Sequence, residues 1–167
     1  MFSKKIKLSK VGEFILGTSS NDLIYVLSKT YPRYPDPNFP VNAYSEYVQF
    51  MLAATVFIAT KQYPGHQDTV LRLAHQSIIK KLSDQPELSE VSGKLGDNCL
   101  GRVNNYIRWI LDFEPPDFNG ALKILSGQLI GEFTLFSNEQ KIHFEAYVLA
   151  KGTQSIDVIS SYKFLLK

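Results

Sequence analysis

The sequence predicts an α+β fold in which a helix-rich N-terminal two-thirds, with five or six helices, precedes a small antiparallel β-meander. Apolar residues recur at helical spacing as far as Gly127, and beyond it they alternate with polar residues as in a strand. The chain has 167 residues, 44% of them hydrophobic, which suits a single globular domain over residues 1–167. An all-α fold is the alternative, because residues 118–136 also fit a helical stripe.

The helical part follows residues 1–8, which hold three lysines and no acid and are predicted to form a flexible basic arm. Residues 9–29 predict one or two short helices. The next segment, 31–40, contains four prolines and predicts an extended connector, because proline lacks the amide hydrogen that helices and sheets need. Residues 43–62 are apolar on nearly every side, which is typical of a central, buried helix.

Further helices are predicted between residue 62 and Gly127. An apolar stripe predicts the first over 68–82, after which a short helix closes at Gly96. A stronger helix begins near Asn98 and ends at the two prolines that follow residue 114. Asp117 can cap the last helix of this part, since a carboxylate accepts hydrogen bonds from the free amides of a first helical turn.

The C-terminal third predicts three antiparallel strands. In 141–149 the apolar residues fall on every second position, which is the spacing of a half-buried strand. Residues 129–136 are rich in strand-favouring side chains, and 156–166 supplies the third strand. The segments 137–140 and 151–154 are predicted to be the turns between them.

Charge and cysteine content restrict the partners and the compartment. The net charge of +2 gives no strong field, so neither nucleic acid nor a membrane is predicted as a partner. The most apolar run, 47–59, is shorter than the roughly 20 residues that span a bilayer. Cys99 is the only cysteine and forms no intrachain disulfide, which fits a reducing compartment, and the protein is predicted to be cytoplasmic.

The sequence contains no spacing typical of a catalytic or metal site, so no catalytic residue, metal or cofactor is predicted. His66 and Asp68 indicate a turn with a capping carboxylate rather than a metal pair, because a zinc site needs three or four converging ligands. Cys99 could act as a nucleophile beside His75 or His143. A free cysteine more often packs in the core, and this interpretation is favoured.

Two groups of side chains are candidate binding residues. The first consists of the aromatic residues in the proline segment: Tyr31, Tyr34 and Phe39. Partner proteins bind such segments in aromatic grooves, although rings that fold back onto the core are the favoured interpretation here. The second is the polar face of the predicted strand 141–149: Lys141, His143, Glu145 and Tyr147. A solvated sheet face is the simpler explanation for these four residues.

Together these patterns favour a non-catalytic protein-interaction module, of the adaptor, assembly-chaperone or inhibitor type, within a cytoplasmic complex. Its predicted partner is another protein or a second copy of the chain, added at the edge of the sheet that contains residues 155–167. The alternative is a small enzyme or ligand-binding domain whose polar residues converge only in three dimensions. A concave pocket with two or more ionisable residues would favour that alternative.

Overall fold

The computed structural model describes residues 4–19, 39–84, 89–131 and 137–167, and these ranges contain six α-helices and two short strands. The helices are α1 (Val11–Ser19), α2 (Phe39–Gln62), α3 (Gln67–Ser83), α4 (Ser89–Leu111), α5 (Phe118–Gly131) and α6 (Asn138–Ser160). The strands are β1 (Lys4–Lys7) and β2 (Tyr162–Leu165), and a 3-10 turn, Leu8–Lys10, joins β1 to α1. The predicted helix-rich α+β character is confirmed.

Helix α2 is the central element, as its apolar surface predicts. It contacts each of the other five helices and β2. Four consecutive residues, Phe50, Met51, Leu52 and Ala53, are fully buried, although they lie on different sides of the helix. A helix buried all round needs apolar side chains all round, and this segment supplies them.

The two strands come from opposite ends of the described chain and form a parallel sheet. Lys4 pairs with Tyr162 and Lys7 with Leu165. Residues 4–8, which were predicted to be part of a flexible arm, therefore lie in β1 and the start of the 3-10 turn, where Leu8 is fully buried. A parallel pair requires a long connection between its strands, and here the helices provide it.

The other edge of β2 is bonded to the C-terminal end of α2. Gln62 donates to the Tyr162 carbonyl at 3.1 Å and accepts from the Phe164 amide at 3.0 Å. The Tyr63 hydroxyl donates to the Phe164 carbonyl at 2.7 Å. The predicted open edge at the C terminus is therefore occupied by side chains of the same chain.

The predicted antiparallel meander is wrong, because residues 141–149 lie within α6. Ser137 caps this helix: its hydroxyl accepts from the Gln140 amide, and the Gln140 side chain accepts from the Ser137 amide. This pair is a capping box, which starts a helix where the sequence predicted a turn. Phe144 and Val148 are buried while Ile142 is 67% exposed, so burial follows the helical spacing.

Neighbouring predictions also change. Residues 129–131 belong to α5 rather than to a strand, and 132–136 lie outside the described residues. Residues 156–160 end α6, so the predicted third strand shrinks to β2. The two helices predicted on either side of Gly96 form one helix, α4.

Helices α1 and α3 cross at Gly12. Its amide donates to the Ser77 hydroxyl at 2.8 Å. A Cβ atom at Gly12 would lie 2.4 Å from backbone atoms of Ser77, which is far inside normal contact distance. The absence of a side chain is what allows these two helices to approach so closely.

Candidate functional site

A pocket of about 440 Å³ opens to the surface between α4 and α5. It is lined by Gly101, Arg102, Asn105, Tyr106, Trp109 and Gln128. The first five lie on α4 at spacings of one, three or four residues, so the helix presents them on one side. Gln128 faces them from α5. The volume lies in the range of small-molecule sites.

Glu46 of α2 joins two of the lining residues. Arg102 donates to one oxygen of its carboxylate and the Tyr106 hydroxyl donates to the other. The Glu46 side chain is 18% exposed, whereas that of Arg102 is 50% exposed. A carboxylate this covered needs compensating partners, and it has a cation and a hydroxyl. Glu46 therefore links α2 to two ionisable residues of α4 that line the pocket.

The environment fixes the protonation of the two donors. Burial, followed by the negative charge of Glu46 and its hydrogen bond, raises the pKa of Tyr106 well above its ordinary value. Burial lowers the pKa of Arg102, but the charge of Glu46 and its hydrogen bond outweigh burial and raise it. Tyr106 is therefore a neutral donor and Arg102 a permanent cation at neutral pH.

Two aromatic contacts position the Tyr106 ring. It packs edge-on against Trp109, with ring centroids 5.0 Å apart, and edge-on against Phe50 at 5.7 Å. Such edge contacts add to the stability gained from burial. Trp109, the only tryptophan of the chain, is half-buried and offers part of its indole to the pocket.

The lining residues are better suited to binding than to bond breaking. A guanidinium has five N–H donors, so the bond with Glu46 leaves most of those on Arg102 for a ligand. Asn105 and Gln128 each supply a carboxamide, which both donates and accepts, and Trp109 supplies an indole N–H. The pocket thus holds many donors beside a flat aromatic surface.

Cys99 lies on α4 one turn before Arg102, but it is only 2% exposed. Burial, and then the charge of Glu46, raises the pKa of its thiol to about 11. The thiol stays protonated at neutral pH, whereas a nucleophilic cysteine needs the thiolate. His75, one of its proposed partners, instead lies 3.3 Å from the Leu95 carbonyl through Nε2.

The candidate binding residues from the sequence lie elsewhere. Tyr31 and Tyr34 are outside the described residues, and Phe39 is the first residue of α2. The other four lie on α6 rather than on a strand: Lys141, His143, Glu145 and Tyr147.

Because alternate residues of a helix point about 200° apart, these four do not share one face. Lys141 and Glu145 lie on one side, and His143 and Tyr147 lie on another. The prediction that these four residues share one polar face is therefore wrong, while their role in binding stays a prediction.

No protein-family model, curated protein or solved structure matches this chain. None of the helices in the described ranges combines the length and apolar character needed to cross a bilayer. Those ranges also contain no cluster of three or more His, Cys, Asp or Glu side chains positioned to hold a metal ion.

Proposed function

We propose that this chain is a ligand-binding domain whose ligand is a compact polar molecule in the pocket between α4 and α5. The observation that supports this most directly is an open pocket of about 440 Å³ whose lining residues Arg102 and Tyr106 both donate to Glu46. Binding sites of this size combine a few oriented polar groups with apolar or aromatic walls.

Arg102 is already oriented in the free protein, before any ligand binds, and this supports a role in binding. A free arginine loses much side-chain entropy when it is fixed on a ligand. Here the bond with Glu46 already restrains the guanidinium, so part of that entropy is lost in the free protein. Tyr106 restrains the same carboxylate from the other side.

The chemistry of the lining also restricts the ligand. Arg102, Asn105 and Gln128 offer donors, so the ligand should present acceptors such as carbonyl or carboxylate oxygens. Because Glu46 neutralises Arg102, a molecule with no charge or one negative charge fits better than a polyanion. The indole of Trp109 favours a flat ligand that can pack against it.

A fragment screen tests this proposal. Flat, acceptor-bearing fragments are titrated while the emission of Trp109 and amide NMR shifts are followed, and binders should change both at residues 101–109. Arg102→Met should weaken these binders at least tenfold. Arg108→Met is the matched control, because Arg108 is an exposed arginine of the same helix that does not line the pocket.

Two results would count against the proposal. One is a screen in which no fragment binds at millimolar concentration. The other is a set of binders that leave Trp109 unchanged, or that bind the Arg102→Met and Arg108→Met variants equally well. Circular dichroism of both variants establishes that the helices are intact, so a loss of binding is not a loss of fold.

A protein-interaction module is the second candidate function. Ile142 and Leu100, whose large apolar side chains are 67% and 55% exposed, are the residues that a protein partner would cover in this case. Light scattering at micromolar concentration tests the homodimer. A dimer that Leu100→Ser or Ile142→Ser dissociates would support this function, and a monomer at all concentrations would argue against self-association.

A further inference from the structure

A second concavity, of about 380 Å³, lies where the C-terminal ends of α2 and α4 meet the start of α3. We call it the groove. Its apolar lining comes from Val56, Phe57, Pro64, Ile107 and Leu111. Leu111 is 51% exposed, so the apolar surface continues to the rim of the groove. An exposed leucine beside an apolar concavity forms a surface that gains from being covered.

Lys61 is the cation of this groove. Its Nζ lies 4.4 Å from the centroid of the Phe57 ring, so the ammonium is held directly beside the apolar wall. Among the described residues, no carboxylate lies within ion-pair distance of Lys61. The groove therefore places an uncompensated positive charge next to apolar surface.

Thr60 supplies a second polar group. It lines the groove, and its buried hydroxyl has no hydrogen-bond partner among the described residues. A ligand oxygen there would satisfy a donor that is otherwise unpaired.

We propose that the groove binds a free alkyl carboxylate. Its chain packs against Phe57, Ile107 and Leu111, and its carboxylate pairs with the Lys61 ammonium. The apolar lining selects the chain, and the lone cation selects the head group over an alcohol or an amine. This site is separate from the pocket between α4 and α5, so a test of the groove does not depend on the proposed function.

A series of straight-chain ligands tests both parts of this assignment by calorimetry. Hexanoate, octanoate and decanoate are compared below their micelle-forming concentrations. Each methylene that enters the groove should tighten binding about fourfold until the groove is filled. At equal chain length the carboxylate should bind more tightly than the alcohol, and the alcohol more tightly than the amine.

Substitutions test whether the ligand binds in the groove. Lys61→Gln should weaken the carboxylate about fivefold and change the alcohol little, because it removes the charge while it keeps most of the aliphatic part of the side chain. Leu111→Ser should weaken both about tenfold. The matched controls are Lys80→Gln and Leu100→Ser, which remove an exposed lysine and an exposed leucine that do not line the groove.

Several outcomes would overturn this proposal. If the alcohol binds as tightly as the carboxylate, Lys61 does not recognise the head group. If Leu111→Ser does not change the affinity for decanoate, the ligand does not bind in the groove. A dimer that Leu111→Ser dissociates, while Leu100→Ser does not, would identify a second copy of the chain as the occupant. Decanoate should bind Arg102→Met normally, so failure here is distinguishable from failure of the proposed function.

Discussion

Tyr106→Phe isolates one hydrogen bond of the candidate site. Tyr106 is 3% exposed, and phenylalanine keeps the ring that packs against Trp109 and Phe50 while it removes the hydroxyl that donates to Glu46. A hydrogen bond to a charged acceptor contributes about 1.5–3 kcal/mol. Glu46 is 18% exposed and keeps its bond with Arg102, so we expect the lower end, a loss of about 1.5 kcal/mol.

Urea unfolding of a double-mutant cycle measures this contribution. In a Glu46→Gln background the hydroxyl faces a neutral amide, and its removal should cost only about 0.5 kcal/mol. The coupling free energy between the two positions is then about 1 kcal/mol. The native emission of Trp109 should not change in Tyr106→Phe, because the neighbouring ring is still present.

A loss from Tyr106→Phe that is the same in both backgrounds, within about 0.3 kcal/mol, would refute a hydrogen bond to a charged Glu46. Equal losses would mean that the hydroxyl does not depend on the charge of Glu46. A shift in Trp109 emission, with no change in stability, would also contradict it, since the substitution would then have moved the ring rather than removed a hydrogen bond.

Three further predictions concern the packing and titration of the core. Gly12→Ala should destabilise the protein by about 3 kcal/mol in urea unfolding, because its Cβ would overlap the Ser77 backbone, whereas Gly17→Ala has open space and should be neutral or stabilising by up to about 1 kcal/mol. Burial raises the pKa of Tyr47 from 10 to about 12, so stability should be complete below pH 10 and fall by about 2–3 kcal/mol as the pH rises to about 12. Urea unfolding at a series of pH values measures that fall, and Tyr47→Phe should reduce it. Cys99, whose thiol pKa is about 11, should react with iodoacetamide at neutral pH only after unfolding, as mass spectrometry would detect.

The helices with the strongest apolar pattern were predictable from the sequence. Helices α2 and α3 begin and end within a few residues of the predicted 43–62 and 68–82. The Asp117 cap is also confirmed, since its carboxylate accepts from the amides of Asn119 and Gly120 at 2.9 and 3.0 Å. In these cases the local signal and the tertiary packing agree, which is the condition under which pattern reasoning succeeds.

The C-terminal third was mispredicted because two patterns share its apolar residues. Phe144 and Val148 are four residues apart, so they fit alternation in a strand and one face of a helix equally well. Ser137 and Gln140 decide between the two, because together they form a capping box. The same two residues also occur in turns, and that interpretation hid the start of α6.

The parallel sheet could not be predicted from local pattern at all. β1 consists of three lysines and Ile6, and this composition by itself is typical of a solvated arm. Its partner, β2, lies at the other end of the described chain, and the pairing places Ile6 opposite the buried Phe164. Pairing over such a separation depends on how the intervening helices pack, and no short window of sequence contains that information.

The charges of α2 were the signal by which the sequence could have located both proposed sites. Glu46 and Lys61 are the only two charged residues of this 24-residue helix, whose other surfaces are largely buried. A buried helix accepts a charge only where a partner compensates it or where the side chain reaches a surface opening. Glu46 meets the first condition through Arg102 and Tyr106, and both of these partners line the polar pocket. Lys61 meets the second at the groove, where no carboxylate of the described residues pairs with it, and that asymmetry is why a bound anion is expected there.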